Sequence, residues 1–146
     1  MTPGPGPSGR TTAAMRRLAG QVQDELALAG LPSATGAHPL VARGVRVEID
    51  ALDDEDPGVV VSWRPHPSLA AAADRAVAAR DVAAGTMRRF GEIERAMGPA
   101  LAAVLGSAGF TLDPDADLPP HLLRVTAAPP DGGTAGLLTG PEGGAR

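Results

Sequence analysis

Two short segments with strict alternation constrain the fold of this chain most. Valine, isoleucine or tryptophan occupies every second position in residues 45–49 and 59–63, and most positions between them are polar or charged. Such a period of two is typical of antiparallel strands that bury one face. The segment between them is acidic and ends in Pro57-Gly58, as a hairpin loop does. The sequence therefore predicts a hairpin with one apolar face, to which Trp63 contributes.

Helical spacing predicts the elements around this hairpin. Apolar residues recur every three or four positions in residues 12–29, 68–97 and 99–108. Gly30 ends the first helix, and Gly98-Pro99 predicts an interruption between the other two. Residues 121–126 predict a last strand, and residues 110–112 a short additional one. The predicted fold is α+β in the order α-β-β-α-α-β, with helices packed on one face of a small antiparallel sheet made of the hairpin and the C-terminal strand.

Both ends of the chain are rich in proline and glycine. Residues 1–10 and 127–146 are therefore predicted to be disordered tails around a single α+β domain at residues 11–126. Leu137 and Leu138 are the only sizeable apolar residues of the second tail. Two leucines bury too little surface to hold twenty residues against a core.

The long helical segment at residues 68–97 has two possible forms. Thirty helical residues would span about 45 Å, whereas a domain of this size is roughly 35 Å across. The segment therefore either breaks near Gly85 or Gly91, or projects and pairs with a second copy of the chain. A weak homodimer and a monomer both stay open at this point.

Composition excludes several classes of chemistry. The chain has no cysteine, and all 13 basic residues are arginine, so disulfides, thiolate nucleophiles and Schiff-base lysines are excluded. Two phenylalanines and one tryptophan, with no tyrosine, are too few for a platform that stacks single-stranded nucleic acid. The bias toward alanine, glycine, proline and arginine is typical of a high-GC bacterial coding sequence. No apolar run approaches a membrane span, and we expect no membrane partner and a cytoplasmic location.

The titratable residues do not form a recognisable site. His38, His66 and His121 each adjoin a proline, and their spacing matches no metal-ligand signature. No metal and no cofactor are predicted. The acidic run at residues 50–56 lacks the spacing of a calcium loop and indicates a solvated hairpin tip. Arginines 16–17, 88–89 and 95 lie among acidic residues on helices, so pairing one turn away is favoured over nucleic-acid binding.

The second face of the predicted hairpin carries Arg46, Glu48, Asp50, Ser62 and Arg64. Four of these residues, Arg46, Glu48, Ser62 and Arg64, are the best candidate site. Arginine forms directed contacts with carboxylates, although a polar sheet face also occurs where a sheet meets only water. The sequence favours a non-catalytic protein-interaction module (an adaptor, chaperone-like or regulatory protein) that binds another protein or itself. The alternative is a small-ligand-binding protein or an enzyme that uses His66 with Arg46 and Arg64.

Overall fold

The predicted hairpin forms half of a four-stranded sheet. The computed structural model describes residues 7–33, 43–50, 58–113, 118–119 and 121–140. Strand β1 spans Gly44–Asp50 and strand β2 spans Gly58–Arg64. The two are antiparallel, with Val45 opposite Trp63 and Val47 opposite Val61. Because opposed residues share a face of the sheet, the apolar residues of both strands line one common face, as predicted.

Two further strands complete the sheet in the order β1-β2-β4-β3. Strand β3 spans Thr111–Leu112 and strand β4 spans Leu123–Ala127, and every pairing in the sheet is antiparallel. Both correspond to strands that the sequence predicts near these positions. The chain thus places β1 at one edge of the sheet and β3 at the other.

Two long helices cover the apolar face of the sheet. Helix α1 spans Pro7–Leu28 and helix α3 spans Gly85–Ala108. The buried core combines residues of both helices and of the sheet: Leu18, Val22, Leu26, Val45, Val59, Val61, Leu101, Leu105, Phe110 and Val125. The predicted α+β fold with helices on one face is therefore confirmed, and so is its order of elements.

The predicted long helix is broken into two. Helix α2 spans Pro67–Ala78, and the chain turns through Arg80, whose φ is 55°, before α3 begins at Gly85. The break near Gly85 is confirmed, so the length argument for a projecting helix no longer applies. The predicted interruption at Gly98-Pro99 is wrong, because α3 continues through both residues to Ala108.

Burial explains why α3 tolerates an internal proline. Pro99 lacks one backbone donor and costs an interior helical position about 3 kcal/mol relative to alanine. Gly98 lies buried just before it, and Leu101 and Leu105 are fully buried in the turns that follow. Each leucine contributes roughly 1.5–3 kcal/mol by leaving water. Packing on the sheet therefore outweighs the local cost.

Helical structure also extends into both segments that the sequence predicts as tails. Helix α1 begins at Pro7, and a short helix α4 spans Gly133–Leu138. The backbone N–H of Thr134 donates a hydrogen bond of 2.8 Å to a carboxylate oxygen of Glu25. This contact comes from a polar residue of α1 and from the backbone, so the apolar content of the tail did not indicate it.

The limits of the domain at residues 11–126 stay a prediction, and His38 and the acidic loop at residues 51–57 lie outside the described residues.

Candidate functional site

The register of the hairpin brings the four predicted site residues to one face of the sheet. Arg46 lies directly opposite Ser62. Glu48 is two residues beyond Arg46 on β1, and Arg64 is two residues beyond Ser62 on β2, so all four side chains project from the same side. That side is opposite the core, because the residues between them, Val47 and Trp63, pack against the buried core cluster. We call this surface the polar face. It comprises Arg46, Glu48, Ser62 and Arg64, together with Arg124 of β4.

Arg46 and Glu48 form an ion pair along β1. A guanidinium nitrogen of Arg46 lies 2.7 Å from a carboxylate oxygen of Glu48, and the two side chains are 45% and 51% exposed. An ion pair this exposed contributes about 0–1 kcal/mol to stability, because water screens it. Its main effect is to hold a cation and an anion side by side at the outer strand of the sheet.

Arg64 lies at the other end of the polar face. The ion pairs formed within the described part of the chain do not include it. Its side chain is half-buried, and it ends β2 just before the buried Pro65 and the start of α2. A positioned guanidinium of this kind offers its fork of N–H donors to a carboxylate or a carbonyl group.

Arg124 is a fifth member of the polar face, and the sequence did not predict it. It lies on β4 opposite Val60, which places its side chain on the same side as Ser62. Arg124 is 9% exposed, and its alkyl stem crosses Gly58 so closely that an added Cβ there would lie 2.8 Å from its Cγ. The alternation of Arg124 with Leu123 and Val125 indicates that its side chain lies opposite the buried face of β4. Placing it beside Ser62 also requires the pairing of β4 with β2, which the sequence alone does not show.

His66, the centre of the alternative function, caps α2. Its Nδ1 accepts a hydrogen bond of 3.1 Å from the backbone N–H of Ser68, and Pro67 occupies the first helical turn. This arrangement satisfies one of the free backbone donors at a helix start. The side chain is exposed. The nitrogen that faces α2 is therefore engaged in a structural contact.

Two open depressions in the described part of the molecule lie away from the polar face. They have volumes of about 280 and 400 Å³ and flank the contact between α1 and α4, where both are lined by Glu25. Neither is lined by His66, Arg46 or Arg64. The geometry therefore does not unite these three residues around either depression.

The remaining charged residues selected from the sequence form ordinary surface pairs. Arg88 and Arg89 both contact Glu92, at 3.4 and 3.3 Å, which confirms the pairing expected one helical turn away. His121 Nε2 lies 4.0 Å from a carboxylate oxygen of Glu94. Within the described ranges, no three histidine or acidic side chains group in a way that could hold a metal ion.

Comparisons with known proteins identify no relative of this chain. No family model, curated protein or solved structure matches the chain. None of the helices in the described ranges is both long and apolar enough to span a membrane. What can be said about function therefore comes from the geometry of the polar face.

Proposed function

We propose that this chain is a non-catalytic protein-interaction module, of the adaptor, chaperone-like or regulatory kind, and that its polar face binds the partner. The observation that supports this most is the asymmetry of the sheet. Helices α1 and α3 pack on one face through the buried core, whereas the other face presents Arg46, Glu48, Ser62 and Arg64 in register.

The charge of the polar face supports an acidic partner. Arg64 lies there without an ion pair to the described residues, beside the paired Arg46 and Glu48, although the whole chain carries a formal net charge of −4. Charge complementarity raises the rate of association and selects among partners. Arginine is also enriched among the residues that dominate binding energy at protein interfaces. A carboxylate-bearing segment of another protein is thus the ligand chemistry that fits.

The alternative of a small-ligand-binding protein or enzyme has less support. A small-molecule site is normally a concave pocket with a few convergent polar groups. His66 instead caps a helix, and neither described depression is lined by it or by the two arginines.

The test is affinity capture with the full chain in a lysate of the native cell. Arg64→Glu reverses a charge on the interior strand β2, and Arg88→Glu reverses one on the exposed surface of α3 as the matched control. We expect the wild type and Arg88→Glu to recover the same partner, and Arg64→Glu to recover at least tenfold less. Circular dichroism verifies that both variants remain folded.

Two results would contradict the proposal. Equal recovery by Arg64→Glu and wild type would remove the polar face from the interface. A small molecule that raises the unfolding temperature of the wild type but not of Arg46→Ala, Arg64→Ala and His66→Ala would support the alternative function instead.

A further inference from the structure

The two edges of the sheet are built differently. Strand β3 has two residues, and its pairing with β4 contains a register shift. Short edge strands and bulges are devices that prevent one sheet from pairing with another. Strand β1 has seven residues, GVRVEID, with no proline. It pairs with β2 over its whole length without a shift, so its outer backbone groups form a regular row.

One contact is made on the outer edge of β1 by the described residues. Ser33 forms an isolated parallel bridge with Val45. The outer backbone groups of β1 can therefore pair with another strand. The Ser33 bridge occupies one end of the strand, at Val45. Apart from that bridge, no described residue pairs with this edge, and a long edge strand is a natural site for strand addition.

The charges of β1 are arranged so that the strand complements itself. Arg46 and Glu48 flank Val47, and both project onto the polar face. If two copies pair antiparallel about a two-fold axis at Val47, Arg46 of each copy lies opposite Glu48 of the other. A centre at Arg46 would oppose two arginines. A centre at Glu48 would set Arg46 opposite Asp50 but would oppose two glutamates, whereas the centre at Val47 opposes no like charges. Opposite charges across strands stabilise a sheet, and like charges directly opposite destabilise it.

We propose that the partner of the β1 edge is a second copy of this chain, paired antiparallel in the register centred on Val47. On the other side of the sheet the same register sets Val45 opposite Ile49 of the second copy, so apolar residues also meet. The isolated bridge from Ser33 gives way to the incoming strand. The product is one continuous eight-stranded sheet with both polar faces on one side, a closed two-fold assembly.

The association is weak and depends on salt. A row of strand hydrogen bonds with four exposed charges buries far less than a stable interface of about 1,600 Å². Arg46 and Glu48 already neutralise each other within one chain, so pairing extends this pair to a four-membered network. This inference goes beyond the proposed function, because it concerns the edge of β1 and self-association.

The test uses charge reversal at the two positions separately. Arg46→Glu gives an edge with two acids, and Glu48→Arg gives an edge with two cations. In either variant alone, like charges oppose each other in every two-fold pairing at Val47. In an equimolar mixture, the acidic edge of one chain meets the basic edge of the other. We expect each variant to self-associate at least tenfold more weakly than the wild type, and the mixture to associate at least as well as the wild type.

Sedimentation velocity over a concentration series measures this with the full chain, and a fluorescent label on one variant identifies the mixed species. The double variant R46E/E48R is expected to regain self-association. Both side chains are about half exposed, and circular dichroism verifies the fold of each variant. The matched control is Arg88→Glu mixed with Glu92→Arg, which reverses an ion pair on α3 and should change neither homodimer nor mixture.

Three results would overturn the proposal: a wild-type mass of one chain at every concentration, single variants that associate like the wild type, or a mixture no stronger than its components. Loss of the internal ion pair alone predicts no recovery on mixing. None of these readouts involves another protein, and the capture experiment uses Arg64. The proposal and the proposed function can therefore fail separately.

Discussion

The sheet core and helix α4 are both fixed in the fold, but by opposite means. The core is made of side chains such as Val22, Val61 and Leu101, which are fully removed from water. Helix α4 is attached through a glycine that lies buried against α1, Gly133, and through one hydrogen bond from Thr134 to a buried carboxylate. Its own leucines point outward.

This difference predicts two kinds of response to mutation. The core is shared by α1, α3 and three strands, so damage to it lowers the stability of the whole domain. Gly133 is the buried residue of α4 itself, so we expect damage to the contacts of α4 to open this segment while the remainder stays folded. Local openings of this kind are normal for segments with low contact density.

Leu101→Ala is expected to have the largest effect. Leu101 is fully buried in α3, and its truncation leaves a cavity against the sheet. Such substitutions cost about 2–5 kcal/mol, which corresponds to a fall in Tm of roughly 8–20 °C for a domain of this size. Leu28→Ala on α1 is the control, because Leu28 is 47% exposed and its truncation should cost under about 1 kcal/mol. Equal effects of the two would contradict the assigned core.

Glu25→Ala is expected to have a smaller and local effect. Glu25 is only 5% exposed and accepts the bond from the Thr134 N–H, so its loss leaves that donor without an acceptor. A hydrogen bond to a charged group contributes about 1.5–3 kcal/mol. Hydrogen exchange of the amides at 133–139 should become faster, while the amides of β2 keep their protection.

The neighbouring Asp24→Ala serves as the control for Glu25→Ala. Asp24 is exposed on the same turn of α1, so its removal should leave exchange in α4 unchanged. If β2 loses protection in the Glu25 variant as well, α4 is coupled to the core, and the proposed contrast between the two regions is wrong.

The sequence predicts the core better than the attachment of α4 for a physical reason. In a strand buried on one face, apolar residues recur every two positions. The spacing of Val45, Val47, Val59 and Val61 therefore indicates, within a short segment, that they share one side of the sheet. Glu25 and Thr134 are 109 positions apart, and no local pattern marks them as partners. The predicted interruption at Pro99 was wrong for the same reason. The packing that stabilises α3 at this position comes from the sheet, not from neighbouring residues in the sequence.

The polar face is intermediate between these two cases. Register within one hairpin was enough to bring Arg46, Glu48, Ser62 and Arg64 together, since a period of two places alternate residues on one side. Arg124 was missed because its place depends on β4 pairing with β2, which a single sequence does not specify. The binding role of these residues stays a prediction.

The double substitution of Leu137 and Leu138 by serine is expected to have the smallest effect, and it tests the comparison most directly. The two side chains are 82% and 67% exposed. If apolar burial attached α4, removing both leucines would cost several kcal/mol, because a buried leucine contributes about 1.5–3 kcal/mol. If glycine packing and the Glu25 contact attach it, the free energy of unfolding changes by less than about 0.5 kcal/mol, as for most surface substitutions. Hydrogen exchange at Thr134 distinguishes these results, and accelerated exchange there in the serine variant would show that the leucines hold the helix.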